Sequence, residues 1–260
     1  MSSSPHIPAR GAIGVDIGGT GIKGGIVDLT TGKLVGDRFR IDTPKPATPE
    51  AVSKVVAEIV AELNEREDAP ESDTPVGVTF PAIIHRGVAR SASNVDKSWI
   101  GTDVDALFTK QLGRPVLVMN DADAAGLAEV HFGAGKDVDG TVLVITLGTG
   151  IGSALIHDGV LVPNLELGHL EIDSAVAESR ASASARQREE LSWDEYATRL
   201  QRFFSHVEFL FSPSLFIIGG GISKRAGDYL PKLSIETPIT VAKSKNNAGI
   251  VGAALQSAVS

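Results

Sequence analysis

The stretch "DIGGTGIKGG", residues 16–25, combines glycines, a hydroxyl and a lysine at spacings that could bind phosphate. Gly19, Gly21 and Gly24 have the Gly-x-Gly-x-x-Gly spacing of the dinucleotide fingerprint. That fingerprint requires a strand before the glycines and a helix after them. Here the glycines lead into the β-rich run "GIVDL" and the turn "TTGK". The sequence therefore favours a β-hairpin over a dinucleotide-binding turn.

A glycine hairpin can still bind an anion, because backbone N–H groups approach closely where no Cβ intervenes. The residues expected to contact phosphate in this turn are Gly18, Gly19, Thr20, Gly21 and Lys23. Asp16, at the end of the first strand, is placed to hold Mg²⁺ directly or through water, as phosphate chemistry usually requires. A purely structural hairpin is the alternative interpretation.

A second segment, "LGTGIG" at 147–152, repeats the pattern between two strand-like runs, "TVLVITLG" and "GSALIHDG". Its candidate phosphate contacts are Gly148, Thr149 and Gly150. Two glycine–threonine hairpins facing each other would form a clamp for a phosphate chain. The repetition also predicts two similar α/β lobes.

Other elements must position these turns. Apolar residues at helical spacing predict a helix in "TPEAVSKVVAEIVAELNERE", which Thr48 can cap. The remaining predicted elements are buried strands at 76–84 and 115–121, a helix in "DVDALFTKQLG" that ends at Gly113, a helix in "ADAAGLAEVHFG", one or two helices within 175–212, a strand turning into a helix in "LFIIGGGIS", and a helix in "NAGIVGAALQSAV".

Composition limits the function classes. The 260 residues include no cysteine, which excludes disulfides, cysteine-ligated zinc and thiol nucleophiles. The net charge of −8 disfavours a broad nucleic-acid-binding surface. No apolar run is long enough for a membrane span, and "MSSSPHIPAR" lacks the apolar stretch of a signal peptide. We therefore expect a cytoplasmic protein with no membrane or nucleic-acid partner.

Several motifs together resemble one family. "DIGGTGIK", "LGTGIG" and "ELGH" resemble the sugar kinases of the ROK group (repressors, open reading frames, kinases) within the actin–hexokinase superfamily. "GVTFPA", "SASNVDKSWIGTDV", "NDADAAGLAE", "LVPNLELGHLEI" and "NNAGIVGAAL" are similar, more narrowly, to polyphosphate glucokinases, including the polyphosphate/ATP glucomannokinase type. The resemblance covers nearly the whole chain.

The resemblance implies a two-lobed actin/hexokinase-like (ribonuclease-H-like) α/β fold, with the active site in the interdomain cleft and closure on binding. We expect a small N-terminal lobe formed by residues 1–119 and 247–260, and a large C-terminal lobe formed by 120–246. Relatives of this kind also suggest a homodimer.

The resemblance also assigns residues. Asp121 corresponds to the catalytic base; from the residues alone, the alternative is that Asp121 caps the helix that follows. The residues implied to bind sugar are Asn94, Asn120, Asp121, Glu166, His169 and Glu178. Glu171 competes with Glu178 for its role. Gly219, Gly220 and Gly221 correspond to the position of the nucleotide's adenosine, with a plain strand-to-helix turn as the alternative.

The chain departs from many ROK relatives in one segment. In those relatives "GH" leads into a cysteine-rich zinc loop, which this sequence cannot form, so no zinc is expected and packing must replace the metal. Cations that could accompany a polyphosphate chain are Lys23, Lys97, Lys224, Arg225, Lys243 and Lys245.

The sequence therefore predicts a kinase that transfers a phosphoryl group from inorganic polyphosphate, ATP or both to the 6-hydroxyl of glucose, with Mg²⁺. Mannose is a second candidate substrate. An alternative is a strictly ATP-dependent kinase for another hexose or an N-acetylated aminohexose. A non-catalytic sugar sensor or repressor belongs to a different class. The approximately eleven residues before the first strand are too few for a DNA-binding domain, and a sensor is expected to lack the base.

Overall fold

The structure is a computed structural model that describes residues 11–92 and 95–259. It divides into two compact units. The first consists of residues up to Ala128 and from Asn246 onward, and the second of Glu129–Lys245. The division thus lies nine residues beyond the expected one at 119/120, and residues 120–128 group with the first unit.

The first unit is built on one five-stranded sheet with the order β3-β2-β1-β4-β7. β1, β2 and β3 are antiparallel neighbours, whereas β1, β4 and β7 run parallel. The strands of this unit are β1 (Gly11–Ile17), β2 (Gly21–Asp28), β3 (Lys33–Asp42), β4 (Val76–Phe80), the short pair β5 (Ile84–His85) and β6 (Val88–Ala89), and β7 (Val116–Asn120).

The first glycine segment forms the predicted hairpin. The register of β1 and β2 continues to the pair Ile17 and Ile22, so the turn occupies residues 18–21. The chain after the glycines is a strand rather than a helix, which confirms that the dinucleotide interpretation does not apply.

Helices cover both faces of this sheet. The helices of this unit are α1 (Pro49–Asn64), α2 (Val104–Leu112), α3 (Asp121–Phe132), which continues into the second unit, and α7 (Ala248–Val259). α1 begins where Thr48 accepts a hydrogen bond from the N–H of Ala51, as predicted, and α2 ends at Gly113 with φ of 69°. The buried residues of α1 pack with those of β1 and β4.

α7 lies unusually close to the opposite face of the sheet. A Cβ added at Gly14 of β1 would collide with the carbonyl oxygen of Ile250, and one at Gly77 of β4 would collide with that of Ala253. Glycine at these two positions is therefore required for the helix backbone to rest directly on the central strands.

The second unit repeats the same strand pattern. Its sheet has the order β10-β9-β8-β13-β14, with β8, β9 and β10 antiparallel and β8, β13 and β14 parallel. The strands of this unit are β8 (Thr141–Leu147), β9 (Ile151–His157), β10 (Val160–Val162), the short pair β11 (Glu171–Ile172) and β12 (Ala175–Val176), β13 (Leu215–Gly219) and β14 (Ile239–Val241). The predicted second glycine hairpin joins β8 to β9.

Residues 175–212 form three helices rather than the expected one or two: α4 (Ala177–Ala181), α5 (Ala183–Arg188) and α6 (Trp193–Phe211). The extra break occurs at Ser182, whose backbone is extended and whose hydroxyl caps α5. α6 packs its aromatic face on the sheet, where the rings of Phe204 and Phe216 lie 5.2 Å apart. No helix in the described part of the chain is both long and apolar enough to cross a bilayer.

Glu129 ties the beginning of the second unit to its end. Its side chain is nearly inaccessible, at 1% exposure, and a buried carboxylate requires hydrogen-bond donors. It accepts bonds from the backbone N–H groups of Ala134 (2.8 Å), Lys243 (3.0 Å) and Ser244 (2.6 Å). This carboxylate therefore fixes the segments next to both points where the chain passes between units.

The glycine contact beneath α7 predicts a large stability effect. We expect Gly77→Ala to destabilise the first unit by roughly 1–3 kcal/mol or more, because the methyl group must displace backbone. Thermal unfolding measures this, with a fall in Tm of about 2–4 °C per kcal/mol. Gly227→Ala is the control, since nothing lies within 4 Å of its added Cβ. Equal Tm values for the two variants would contradict the close packing of α7.

Candidate functional site

In the first unit, the polar candidates lie at the carboxyl ends of the parallel strands β1, β4 and β7. Asp16 of β1 accepts a hydrogen bond from the hydroxyl of Thr79 in β4 at 2.8 Å. Its other oxygen lies 3.0 Å from the ammonium of Lys23, the residue opposite it in β2. The carboxyl ends of parallel strands are the usual place for ligands in open α/β sheets. Thr79 was not among the predicted site residues, although it lies within the quoted motif "GVTFPA".

Asp16 is the candidate Mg²⁺ ligand. Magnesium in phosphoryl-transfer sites is commonly held by one or two carboxylates, while substrate phosphates and water supply the other ligands. A single carboxylate at the end of β1, beside an exposed glycine turn, fits that requirement. No group of three or more potential metal-ligating side chains occurs among residues 11–92 and 95–259.

The first glycine turn leaves its outermost residues exposed. The N–H of Gly18 donates to the carbonyl of Gly21 at 3.1 Å, and Gly19 and Thr20 lie at the exposed tip. The guanidinium of Arg40 donates to the carbonyl of Thr20 at 3.0 Å and lies over Gly21. Sequence reasoning missed Arg40 because only the pairing of β3 with β2 brings it to the turn.

Asn120 and Asp121 divide two roles at the end of β7. The side-chain oxygen of Asn120 accepts bonds from the N–H groups of Ala122 (2.8 Å) and Asp123 (3.3 Å), so Asn120 caps α3. Its amide nitrogen donates to the carbonyl of Ala82 at 3.1 Å. Asp121 is exposed in the first turn of α3, and one of its oxygens accepts from the N–H of Ala122 at 2.9 Å. Asn120 supplies the principal cap, which leaves the Asp121 carboxylate at the surface.

In the second unit, two glycine-rich turns share one edge of the sheet. The N–H of Gly148 donates to the carbonyl of Gly150 at 3.0 Å, and Thr149 is exposed at the tip. Gly219 pairs with Thr146 across β13 and β8, directly before these turns. Gly220 has φ of 82°, and a Cβ there would collide with the carbonyl oxygen of Leu147. Gly221 follows at an exposed position and opens a 3-10 helix.

Three of the predicted sugar ligands lie next to the turn of β8 and β9. Glu178 accepts a hydrogen bond from the N–H of Ile151 at 3.2 Å, and a Cβ added at Gly150 would collide with its carboxylate. Nδ1 of His169 lies 3.5 Å from a carboxylate oxygen of Glu166. Glu171, the competitor of Glu178, is exposed on β11 and has no comparable contact with this turn.

The environment of Glu166 alters its acidity. Burial raises the pKa of this carboxyl above its usual value, the charge of His169 opposes the shift, and the nearby Glu178 adds to it. Desolvation disfavours the charged form of a carboxyl, and a second carboxylate acts in the same direction. Hexose hydroxyls both donate and accept hydrogen bonds, so these two carboxylates and an imidazole have the chemistry to orient a sugar.

The remaining predicted positions are Asn94 and the cations expected to accompany polyphosphate. Asn94 lies outside the described residues. Of the proposed polyphosphate cations, Lys23 lies at a glycine turn and contacts Asp16, and Arg225 is engaged with Asp228 at 2.5 Å. The other predicted cations occupy exposed positions: Lys97, Lys224, Lys243 and Lys245.

Several known proteins with similar sequences are glucokinases. The chain is 49% identical over 249 residues to the polyphosphate glucokinase of Mycobacterium tuberculosis, covering 95% of this chain and 91% of that protein. It is 29% identical over 280 residues to the glucokinase of Thermotoga maritima, covering 86% of each chain.

Solved structures agree with this similarity. The inorganic polyphosphate/ATP-glucomannokinase of Arthrobacter sp. strain KM superposes with a TM-score of 0.90 at 68% identity, covering 96% of this chain and 98% of that one. A ROK family glucokinase of Streptomyces griseus, solved with glucose and AMPPNP, gives a TM-score of 0.79 at 26% identity, covering 94% and 98%. The predicted actin/hexokinase-like α/β fold is confirmed. The ROK family model matches residues 12–178, and the chain therefore belongs to the ROK family.

Proposed function

We propose that this protein is a glucokinase that transfers a phosphoryl group to the 6-hydroxyl of glucose from inorganic polyphosphate, from ATP, or from both. The observation that carries the proposal is the repeated hairpin: each unit joins antiparallel strands through an exposed glycine–threonine turn at the carboxyl end of its sheet. The similarity to polyphosphate glucokinase and polyphosphate/ATP-glucomannokinase supports both donors.

Asp121 is proposed as the general base. In the reaction, the sugar 6-oxygen forms a bond to the terminal phosphorus while the phosphorus–oxygen bond to the donor breaks. The hydroxyl proton passes to the Asp121 carboxylate, and the shortened donor keeps the bonding electron pair. Phosphoryl transfer depends mainly on alignment and charge neutralisation, and the exposed carboxylate beside the α3 cap can accept this proton.

The glycine turns are proposed to bind the donor phosphates through the backbone N–H groups at their exposed tips, since those of Gly18 and Gly148 donate within the turns themselves. The residues proposed to contact phosphate at the two turns are Gly18, Gly19, Thr20, Gly21, Gly148, Thr149 and Gly150, with Lys23 of β2 beside the first turn. Gly219, Gly220 and Gly221 are proposed for the nucleotide. Asp16 would hold Mg²⁺, which supplies neutralisation of phosphate charge when bound. Arg40, at the first turn, adds a further cation to this group.

Sugar recognition is proposed for Asn94, Asn120, Asp121, Glu166, His169 and Glu178. The clustering of Glu166, His169 and Glu178 near one turn supports their part in this set. Asn120 acts in addition through the α3 cap, because its oxygen is occupied by backbone N–H groups. Acceptance of mannose and assembly as a homodimer stay predictions from the resemblance, and a cytoplasmic location stays a prediction from the composition.

The donor can be measured directly. Purified protein incubated with glucose, Mg²⁺ and either polyphosphate or ATP is expected to form glucose 6-phosphate with each donor. When both donors are present, each should inhibit use of the other competitively if they share the glycine turns. Product from ATP alone, or only with an N-acetylated aminohexose in a sugar panel, would support the alternative kinase. No product with any pair would refute a kinase function.

Asp121→Asn tests the base. The amide cannot accept the proton, so we expect kcat to fall roughly 10²–10⁴-fold. Because the amide has the same shape and still forms hydrogen bonds with hydroxyls, the glucose Kd from calorimetry and the Tm should stay close to wild type. Asp68→Asn, which neutralises an exposed carboxylate of the same unit, should change none of the three. A kcat near the wild-type value in Asp121→Asn would remove Asp121 from its role.

Asn120→Ala tests whether the α3 cap is a role of Asn120 that is separate from the proposed role of Asp121 as the base. Loss of the α3 cap is expected to destabilise the protein by about 0.5–2 kcal/mol, measured as a lower Tm that Asp121→Asn does not share. If the two variants lose stability equally, the division of roles between the neighbouring residues is wrong.

The raised pKa of Glu166 predicts a pH dependence of glucose binding. Above its pKa, the Glu166 carboxylate accepts hydrogen bonds from sugar hydroxyls. Because this pKa is raised, the carboxylate becomes protonated at a higher pH than an ordinary glutamate does. Glucose Kd, measured by calorimetry, should therefore increase as the pH falls through the pKa of Glu166. Glu166→Gln should bind weakly with a flatter profile, whereas Glu171→Gln should keep the wild-type profile. A wild-type profile in Glu166→Gln would exclude this carboxyl as the titrating group.

A further inference from the structure

The helix that carries Glu178 cannot hold itself in place. α4 has five residues, and no side chain caps its N-terminus. Its C-cap N–H, from Ser182, donates to the carbonyl of Glu178 at 3.2 Å. The last carbonyls of any helix lack partners within the helix, and in so short a helix these make up most of the backbone. Its position must therefore be fixed by groups outside it.

Three successive carbonyls at the end of α4 each accept a bond from a side chain of α5 or α6. Arg188 donates to Ser179 at 2.8 Å, and Arg199 donates to Arg180 at 3.1 Å. The buried hydroxyl of Tyr196 donates to Ala181 at 2.9 Å. Cationic donors at a helix C-terminus also complement the partial negative charge there.

A carboxylate links the two arginines of this arrangement. One oxygen of Glu189 lies 3.0 Å from the Arg188 guanidinium, and the other lies 2.6 Å from that of Arg199. Each guanidinium is therefore held both by this carboxylate and by an α4 carbonyl. We call Arg188, Tyr196 and Arg199, with Glu189 between the arginines, the carbonyl clamp.

The clamp acts on the helix that brings the Glu178 carboxylate to the turn between β8 and β9. Glu178 is the second residue of α4 and binds the N–H of Ile151, while its carboxylate occupies the space that a side chain at Gly150 would fill. It also contributes to the pKa of Glu166. A shift of α4 along its axis would move this carboxylate away from both groups.

We propose that the carbonyl clamp positions Glu178 for sugar binding, an inference that rests on the proposed function of Glu178 as a sugar ligand. Arg188, Tyr196 and Arg199 are positioning residues, since their donors contact backbone carbonyls rather than the sugar ligands themselves.

Arg199→Met removes one donor and is expected to raise the KM for glucose on the order of 10-fold, because small displacements of a ligand group have large kinetic effects. The KM for the phosphoryl donor should remain within about twofold. Arg199→Lys, which keeps a charged donor, should recover most of the glucose affinity. Arg180→Met is the matched control, because it removes an exposed guanidinium of α4 itself and leaves the clamp donors in place.

A double-mutant cycle with Glu178→Ala decides whether Arg199 acts through Glu178. The clamp predicts that Arg199→Met adds little to the KM defect of Glu178→Ala. Multiplicative effects, or an equal defect in Arg180→Met, would overturn the clamp. Tyr196→Phe, which removes one hydroxyl with little change in volume, repeats the cycle if Arg199→Met fails to fold. Wild-type protein that forms no glucose 6-phosphate would instead refute the proposed function and with it the role of Glu178.

Discussion

The first unit depends on the contact of α7 with the central strands β1 and β4. The helix backbone lies against Gly14 and Gly77, which brings its first turn beside Asp16. Asp16 is thereby enclosed by Gly249 of α7, Thr79 of β4 and Lys23 of β2. The same contact that closes the core also fixes the carboxylate next to the first glycine turn, so packing and chemistry are set together.

Both units place their polar groups according to one arrangement. Parallel strands end side by side, and backbone donors or carboxylates collect at that edge. In the first unit the edge holds Asp16, the glycine turn and Asp121, and in the second it holds the turn at 148–150 beside Gly219–Gly221. Asn120 caps α3, which frees the neighbouring position for an exposed carboxylate. Local capping thus leaves one of two adjacent polar residues buried at the helix start and the other exposed.

The sequence was sufficient for features that depend on neighbours along the chain. The hairpins followed from the strand-like residues on both sides of the glycines, and the start of α1 from Thr48. The alternative expected for Asp121 was the α3 cap, but that cap is principally Asn120, whose side-chain oxygen accepts from two backbone N–H groups. Arg40, Thr79 and Arg199 were missed because strand pairing and helix packing, which involve distant residues, bring them to their partners.

The two units differ in how their chains are assembled. The second is continuous from Glu129 to Lys245, and one buried carboxylate joins its two ends. The first is interrupted and receives α7 from the far side of that insertion. Domains generally fold as units during synthesis, from the N-terminus onward. In this chain the second unit is fully synthesised before the first. The sheet containing Gly14 and Gly77 stays uncovered on one face until α7 has been made, and by then all the strands of the second unit are present. A ribosome that stalls before residue 248 would therefore leave an apolar sheet face open to chaperones or to aggregation.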